Sequence, residues 1–419
     1  MLFERLMLAA SRHSGAAPSY KLFGFGGNST GNLGNGSTST ITTVTQIGSG
    51  TSWSKVYGSR GDIDSTATTT TNLSFVIKSD NTLWTAGSNS DGATGLGTTT
   101  GNTTTLTQVG IDNKWVKIAT CASTPNFTLA IKNDGTLWGW GDNSVSQLGT
   151  GNTTNHTSPF QIGVATDWAD VSCSGHGSIG DMFAVAVKTT GTLWGWGSNL
   201  SGGTGQGTTS GTTTSPTQIG SSTLWKQVAC GSGAGAGVAP TSTASFALAV
   251  RTDGTLWGWG INGNATINNT GTNYTSPIQI GVATLWDKVF AGGPVGMAIR
   301  TDGTLWSWGC NRQGGPAQGS TGNTFVTSPT QVGSATNWQM VSLSCQSGFS
   351  GAAGAGLRTD GTLWAWGSNS AYNLGSGSSS PSSTGTVTQV GSATTWTWVS
   401  AGGPASSTGG ELYVLALST

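Results

Sequence analysis

The sequence predicts an all-β fold: a seven-bladed β-propeller with four antiparallel strands per blade, the ring closed by pairing of the N- and C-terminal strands. Three observations lead there. A Gly/Trp hairpin string recurs seven times in phase, each copy sits among strand-like segments that number four per unit, and the chain's last segment is the one that should precede its first. Seven such units, rich in Gly and Trp at fixed offsets, describe a radially repeated sheet.

The hairpin strings justify the count. They read SDNTLWTAG (79 to 87), NDGTLWGWG (133 to 141), TTGTLWGWG (189 to 197), TDGTLWGWG (252 to 260), TDGTLWSWG (301 to 309) and TDGTLWAWG (359 to 367), with a degenerate copy, KLFGFG, at 21 to 26. Their leucines, Leu22, Leu83, Leu137, Leu193, Leu256, Leu305 and Leu363, are spaced as blades are and not as helical repeats. Three markers keep phase with them. An Asn stands two residues after the last Gly of every copy, from Asn28 to Asn369, and a Q-[IV]-G triplet follows further on. Five residues beyond each triplet comes a Trp: Trp53, Trp115, Trp168, Trp225, Trp286, Trp338 and Trp396. The motif slots absorb 18 of the 19 tryptophans, leaving only Trp398, so the aromatic content is repeat core.

Each unit offers four segments in order: W-x-x-V, F-A-L-A-V, L-W-G-W-G and T-Q-I-G. The alternation in the second and the Asp-Gly before the third fit an antiparallel hairpin. Gly in the third lets backbones approach against bulky Trp. The C-terminal ELYVLALST aligns as a second segment and stops where the Asp-Gly turn should follow, while the chain enters the repeat at a third segment. The break in the ring therefore falls in one hairpin turn. Up-and-down order puts the first-to-second and third-to-fourth loops on one face, and the Asp-Gly turns and Q-[IV]-G links on the other. All seven links have one length, whereas the stretch from segment one to segment two varies widely, short after Val289 and long after Val228. Loops of variable length on a rigid scaffold are where binding functions usually reside.

Composition excludes several classes. Sixteen basic residues balance sixteen acidic ones, so there is no polyanion-binding surface or basic tail, and nucleic acid is not an expected partner. No apolar run is long enough to span a membrane, and the opening MLFERLMLAASRHSG is too interrupted by Glu4 and Arg5 for a secretory leader. Five cysteines, widely spaced and without a C-x-x-C pair, indicate neither a disulfide framework nor a zinc site; Cys173 and Cys230 read as small apolar strand residues. Three histidines, His13, His156 and His176, fall in different parts of the repeat plan, so no nucleophile and base constellation is expected. No catalytic, cofactor-binding or metal residues are assigned, and the chain reads as a non-enzyme. GSGAGAG at 231 to 237 lacks the Lys and Ser/Thr of a phosphate-binding loop.

Two features remain. A basic residue precedes each internal turn, at Lys78, Lys132, Lys188, Arg251, Arg300 and Arg358, with an Asp two residues on in five of the six. Such a ring would grip an anionic partner, but self-neutralisation with edge-strand protection is the simpler expectation. The arm, residues 1–18, places Leu2, Phe3, Leu6 and Met7 on one face of a short helix. Too short to be helical alone in water, it should need an apolar partner, and these four are the candidate partner anchor. The arm forms one unit and residues 19–419 the propeller.

With these residues in hand, the repeats resemble those of the regulator of chromosome condensation family. The closest segment is DGTLWGWGDNSVSQLGTG at 134 to 151. The resemblance implies a seven-bladed propeller, in agreement with the count above. The family's founding activity, guanine-nucleotide exchange with chromatin binding, is poorly matched here by the low charge and by the lack of a repeated His before the second strand. The low-charge Gly/Thr-rich form also resembles virion proteins of tailed bacteriophages. The expectation is therefore a non-enzymatic display module at a particle surface or tail. It would be anchored to other structural proteins through its arm and would present its variable loops to a surface receptor or a glycan. The alternative is a soluble, cytoplasmic protein-protein interaction regulator of the exchange-factor-like or inhibitor-like propeller type.

Overall fold

A computed structural model describes residues 19–59, 71–121, 126–176, 180–232, 245–263, 265–268, 271–322, 324–344, 352–403 and 412–419. Seven four-stranded antiparallel sheets form a seven-bladed propeller, as the repeat count predicts. Blade one spans residues 53–108 and blades two to six follow in chain order. Blade seven joins the two ends: its inner strands are Trp396–Gly402 and Tyr413–Ser418, its outer ones Lys21–Gly26 and Ile41–Gln46. Lys21 pairs with Ser418 and Gly26 with Tyr413, so the seam lies in the hairpin where the sequence places it.

Blade four shows why these residues make these strands. Trp225–Gly231, Phe246–Arg251, Leu256–Gly260 and Tyr274–Gln279 are hydrogen-bonded in that order, the first lining the channel and the last forming the rim. The F-A-L-A-V alternation does not sort apolar from polar. Both faces of Phe246–Arg251 are buried: Phe246, Leu248 and Val250 pack towards blade five, while Ala247 and Ala249 receive Phe183, Val185 and Val187 of blade three. Large side chains of one blade thus meet small ones of the next at this wedge, and the core is a set of clusters between blades rather than one centre.

The second Trp of L-W-G-W-G locks the wedges. Each of Trp140, Trp196, Trp259, Trp308 and Trp366 is fully buried, and its Nε1–H donates to a loop carbonyl of the preceding blade, at 2.7–3.0 Å. Burying an indole without a partner for its N–H is costly, and the neighbouring loop supplies that partner.

Turns and links share one face because they are bonded together. Trp168 N–H in blade three donates to Gly135 of the blade-two turn at 3.0 Å, and Thr189 N–H in the blade-three turn donates to Asp167 in the link at 2.7 Å. Only glycine fits that turn. Gly135 has φ +78°, and a Cβ there would lie 2.0 Å from the Thr166 carbonyl oxygen.

Candidate interaction surfaces

The basic residues before the turns are not an edge device. They lie on the second strand of blades one to six, and each is clamped between two indoles. Lys132 Nζ sits 3.4 Å from the ring centroid of Trp138 and 4.6 Å from that of Trp115, while the Arg300 guanidinium carbon sits 3.7 Å from Trp306 and 4.6 Å from Trp286. Lys78, Lys188, Arg251 and Arg358 are held in the same way. The ring faces supply the negative quadrupole that stabilises a half-buried cation. Burial holds the Arg251 and Arg358 guanidinium groups below their usual range.

The Asp two residues on feels that cation through space, the basic group helping to lower the carboxyls of Asp80, Asp253, Asp302 and Asp360, but its hydrogen bonds go to a local relay. In blade five Trp306 Nε1–H donates to Thr304 Oγ1 at 2.8 Å, and the Thr304 hydroxyl and amide donate to Asp302 Oδ1 at 2.6 and 2.9 Å. These bonds hold the Asp302 carboxyl below the usual carboxylate range, as their equivalents do for Asp134 and Asp360. The T of D-G-T-L-W therefore has a defined task. Carboxylates that do reach the clamped cations come from the links: Asp112 to Lys132 at 2.8 Å and Asp167 to Lys188 at 3.0 Å.

On the opposite face the seven Asn markers are all buried and staple the third-to-fourth loops. Asn143 accepts from Leu148 N–H at 3.0 Å and donates to the carbonyls of Asn152 and Thr154 at 2.9 and 3.1 Å. Nδ2 of Asn28, Asn89, Asn199 and Asn369 reaches the carbonyl nine residues on in the same way. These loops are accordingly near-uniform in length, the one between Gly87 and Thr103 being barely longer than the one between Gly260 and Tyr274. Variation on this face is confined to the first-to-second connections, the stretch whose length varies in the sequence. Among those, residues 60–70, 122–125, 177–179, 233–244, 345–351 and 404–411 lie outside the described residues.

Along the channel, polar side chains of one inner strand satisfy the free edge of the next. Lys55 Nζ donates to the Val116 carbonyl at 2.8 Å, Asp170 Oδ2 accepts from Val228 N–H at 3.0 Å and Lys117 pairs with Asp170. Gln227 exchanges two bonds of 3.0 Å with Val289. Trp398, which fits no repeat slot, belongs to this ring: its Nε1–H donates to the Val56 carbonyl at 3.0 Å and ties blade seven to blade one.

The structure brings no sequence-predicted chemistry together. Among the described residues no group of three or more His, Cys, Asp or Glu could hold a metal ion, and no helix is long and apolar enough to cross a membrane. Cys173 and Cys230 are buried, as their strand positions imply. His156 opens an outer strand, stacked on Phe160 at 4.2 Å, and burial holds its imidazole below the usual value. Leu2, Phe3, Leu6, Met7, His13 and the His176 side chain lie outside the described residues. Two carboxyls do stand out, Asp91 and Asp181, both pushed up by burial; Asp181 accepts from Ser201 Oγ at 3.2 Å. They sit on the loop face of blades one and three, where no repeat marker flags them.

Blade two carries the complete set: the Asp134 relay, the Asn143 staple, and Gln147 Nε2 donating to Asp142 at 2.5 Å. Residues 134–180, which span these groups, match the model of the Regulator of chromosome condensation (RCC1) repeat. The repeat is of the RCC1 type. A dog protein, X-linked retinitis pigmentosa GTPase regulator, is 31% identical over 144 residues, which are 34% of this chain and 13% of that protein. The chain thus matches a small part of that relative's length. Human WBSCR16 superposes with a TM-score of 0.72 at 18% identity, covering 96% of this chain and 99% of that one. Prp20p of Saccharomyces cerevisiae, described with its binding to Gsp1p and histones, gives 0.72 at 15% identity over 96% and 92%. Yeast RCC1 (Prp20) bound to Kap60 gives 0.72 at 14% over 99% and 92%. At these identities the likeness shows the seven-bladed propeller fold alone. The virion resemblance draws no support from these matches, which favour the interaction-regulator alternative.

Proposed function

We propose that this chain is a non-enzymatic protein-protein interaction module of the RCC1-like propeller type, engaging its partner through the first-to-second-strand loops. The observation that carries this reading is where the blades differ. Repeated tryptophans, cations and asparagines are committed to packing, ring contacts or hydrogen bonds within the ring, and the links and stapled loops are near-constant in length. Only the connections between inner and second strands differ strongly, from the tight Gly293–Pro294 turn of blade five to the long excursion between Gly231 and Phe246 in blade four. Relatives of this architecture include proteins described as bound to Gsp1p, histones and Kap60, and binding to a partner protein is the common element carried over.

The test replaces residues 233–244 and 60–70 by the short Gly293–Pro294 connection of blade five. Capture from the native source by the full chain should yield a partner at fixed stoichiometry that the loop-replaced ring fails to hold, with the tryptophan spectrum of the ring unchanged. A partner held equally well by both proteins would overturn the loop assignment. Cosedimentation with a large particle, lost on deletion of residues 1–18, is the result that would instead favour a virion display protein.

A further inference from the structure

We infer that the N-terminal segment, residues 1–18, covers an apolar arc on the hairpin face of its own ring. Of the eight large hydrophobic side chains exposed among the described residues, five stand in the links between blades: Ile111, Val164, Leu224, Val282 and Leu285. They occupy four consecutive links, those leading into blades two, three, four and five. The same two positions of the other three links hold Ser49 and Ser52, Ser334 and Asn337, and Ser392 and Thr395. Ile111, Val164 and Val282 are 96%, 92% and 92% exposed, although equivalent serines would serve the link as well. In these four links five of the eight such positions are apolar, Lys114, Asp167 and Ser221 being the others, against none of six in the remaining links; exposed apolar residues gathered on one side of a face suit a contact site better than an even scatter would.

The occupant follows from where the segment joins the ring. Tyr20 takes the place held by Asn81 in blade one and by glycine in blades two to six: its carbonyl accepts from Trp53 N–H at 3.2 Å, as Gly135 accepts from Trp168. The Ser19 hydroxyl donates to the Thr51 carbonyl in the same link. Residues 1–18 therefore leave from the hairpin face, one link before Ile111. Eighteen residues reach about 60 Å when extended, against a radius of gyration of about 22 Å for a chain of this size, so the segment is long enough to reach any of the four links. It carries Leu2, Phe3, Leu6 and Met7. Covering the arc removes two apolar sets from water at once, and the tether keeps the local concentration of the segment high.

Trypsin tests this on the full chain, because Arg5 and Arg12 lie within the segment. Cleavage there should be about tenfold or more slower than in a free peptide of residues 1–18, since a docked segment is cut only when it opens. Val164→Asp combined with Val282→Asp should restore the peptide's rate without moving the thermal transition of the ring, both positions being exposed. Leu6→Asp should do the same from the other side. Wild-type cleavage at the peptide's rate would overturn the inference. So would protection that survives the arc substitutions, or protection lost on dilution, which would assign the arc to a second copy.

Discussion

Lys132 is the residue at which a surface reading and a packing reading part. Its ammonium is buried between Trp115 and Trp138 and also meets Asp112. Lys132→Met keeps the aliphatic stem and removes the charge, so it isolates the cation–π and ion-pair contributions from packing. It should lower stability by about 1–2 kcal/mol, read as a shift in denaturant midpoint at unchanged slope. The relay beside it makes a pH prediction. Asp302 is held below its unfolded value by Thr304, so this contribution is present above about pH 4 and is lost as pH falls through the lowered folded pKa. Thr304→Val should destabilise the ring at neutral pH, and the gap between variant and wild type should narrow in acid. A gap that stays constant from pH 7 to pH 2 would show that the hydroxyl acts only on Trp306. The sequence displayed the Lys or Arg at fixed spacing, but its task was not legible there. The Trp on either side come from two strands on opposite flanks of the second strand, and only strand order reveals the sandwich.

At the scale of elements, the Asn markers were legible as a signal and not as a mechanism. Their phase with the hairpins was plain, yet the recurring partners five and nine residues on appear only once the loop is closed. Asn143→Ala would leave the Leu148 amide and the Asn152 and Thr154 carbonyls to find other partners, costing on the order of 1–3 kcal/mol for each group that stays buried and unpaired. Hydrogen exchange should localise the loss to residues 143–155, with the inner strands of blade two keeping their protection. Uniform loss of protection over the whole blade would show that the staple supports the sheet and not just its loop. Strand identity fared better than loop function because the hairpin is written in local residues: the Asp-Gly turn and the alternation of large side chains with alanine. Ile111, Val164 and Val282 went unremarked because a single apolar residue after Q-[IV]-G carries no pattern until neighbouring links are laid side by side.

For the whole molecule, the count of blades and the position of the seam followed from the register of repeats, and both hold in the structure. What secures the seam did not. Tyr413, fully buried in blade seven, donates to the Leu73 carbonyl of blade one at 2.6 Å and accepts from Ser59 N–H and Ser74 Oγ at 3.1 Å. It occupies the Phe slot of F-A-L-A-V, so its hydroxyl is an exception to the repeat at the one blade that must close. Tyr413→Phe should preserve packing and cost about 1–3 kcal/mol through the unpaired groups left behind. Protection should be lost first at the contact between blades one and seven; an effect spread evenly over all seven blades would mean that the hydroxyl has no special place in closure. Blade seven also lacks the clamped cation, for Ser418 stands opposite Trp396 where the other blades have Lys or Arg.

The pairing of Lys21 with Ser418 carries a mechanical meaning. The chain enters and leaves the closing sheet at the same end of two antiparallel strands. Tension applied between those points would load the hydrogen bonds of that pair one after another, as a zipper is drawn, instead of all at once in shear. The ring would then part at its seam under a small pull, while each of the other six blades, through which the backbone runs unbroken, stayed shut.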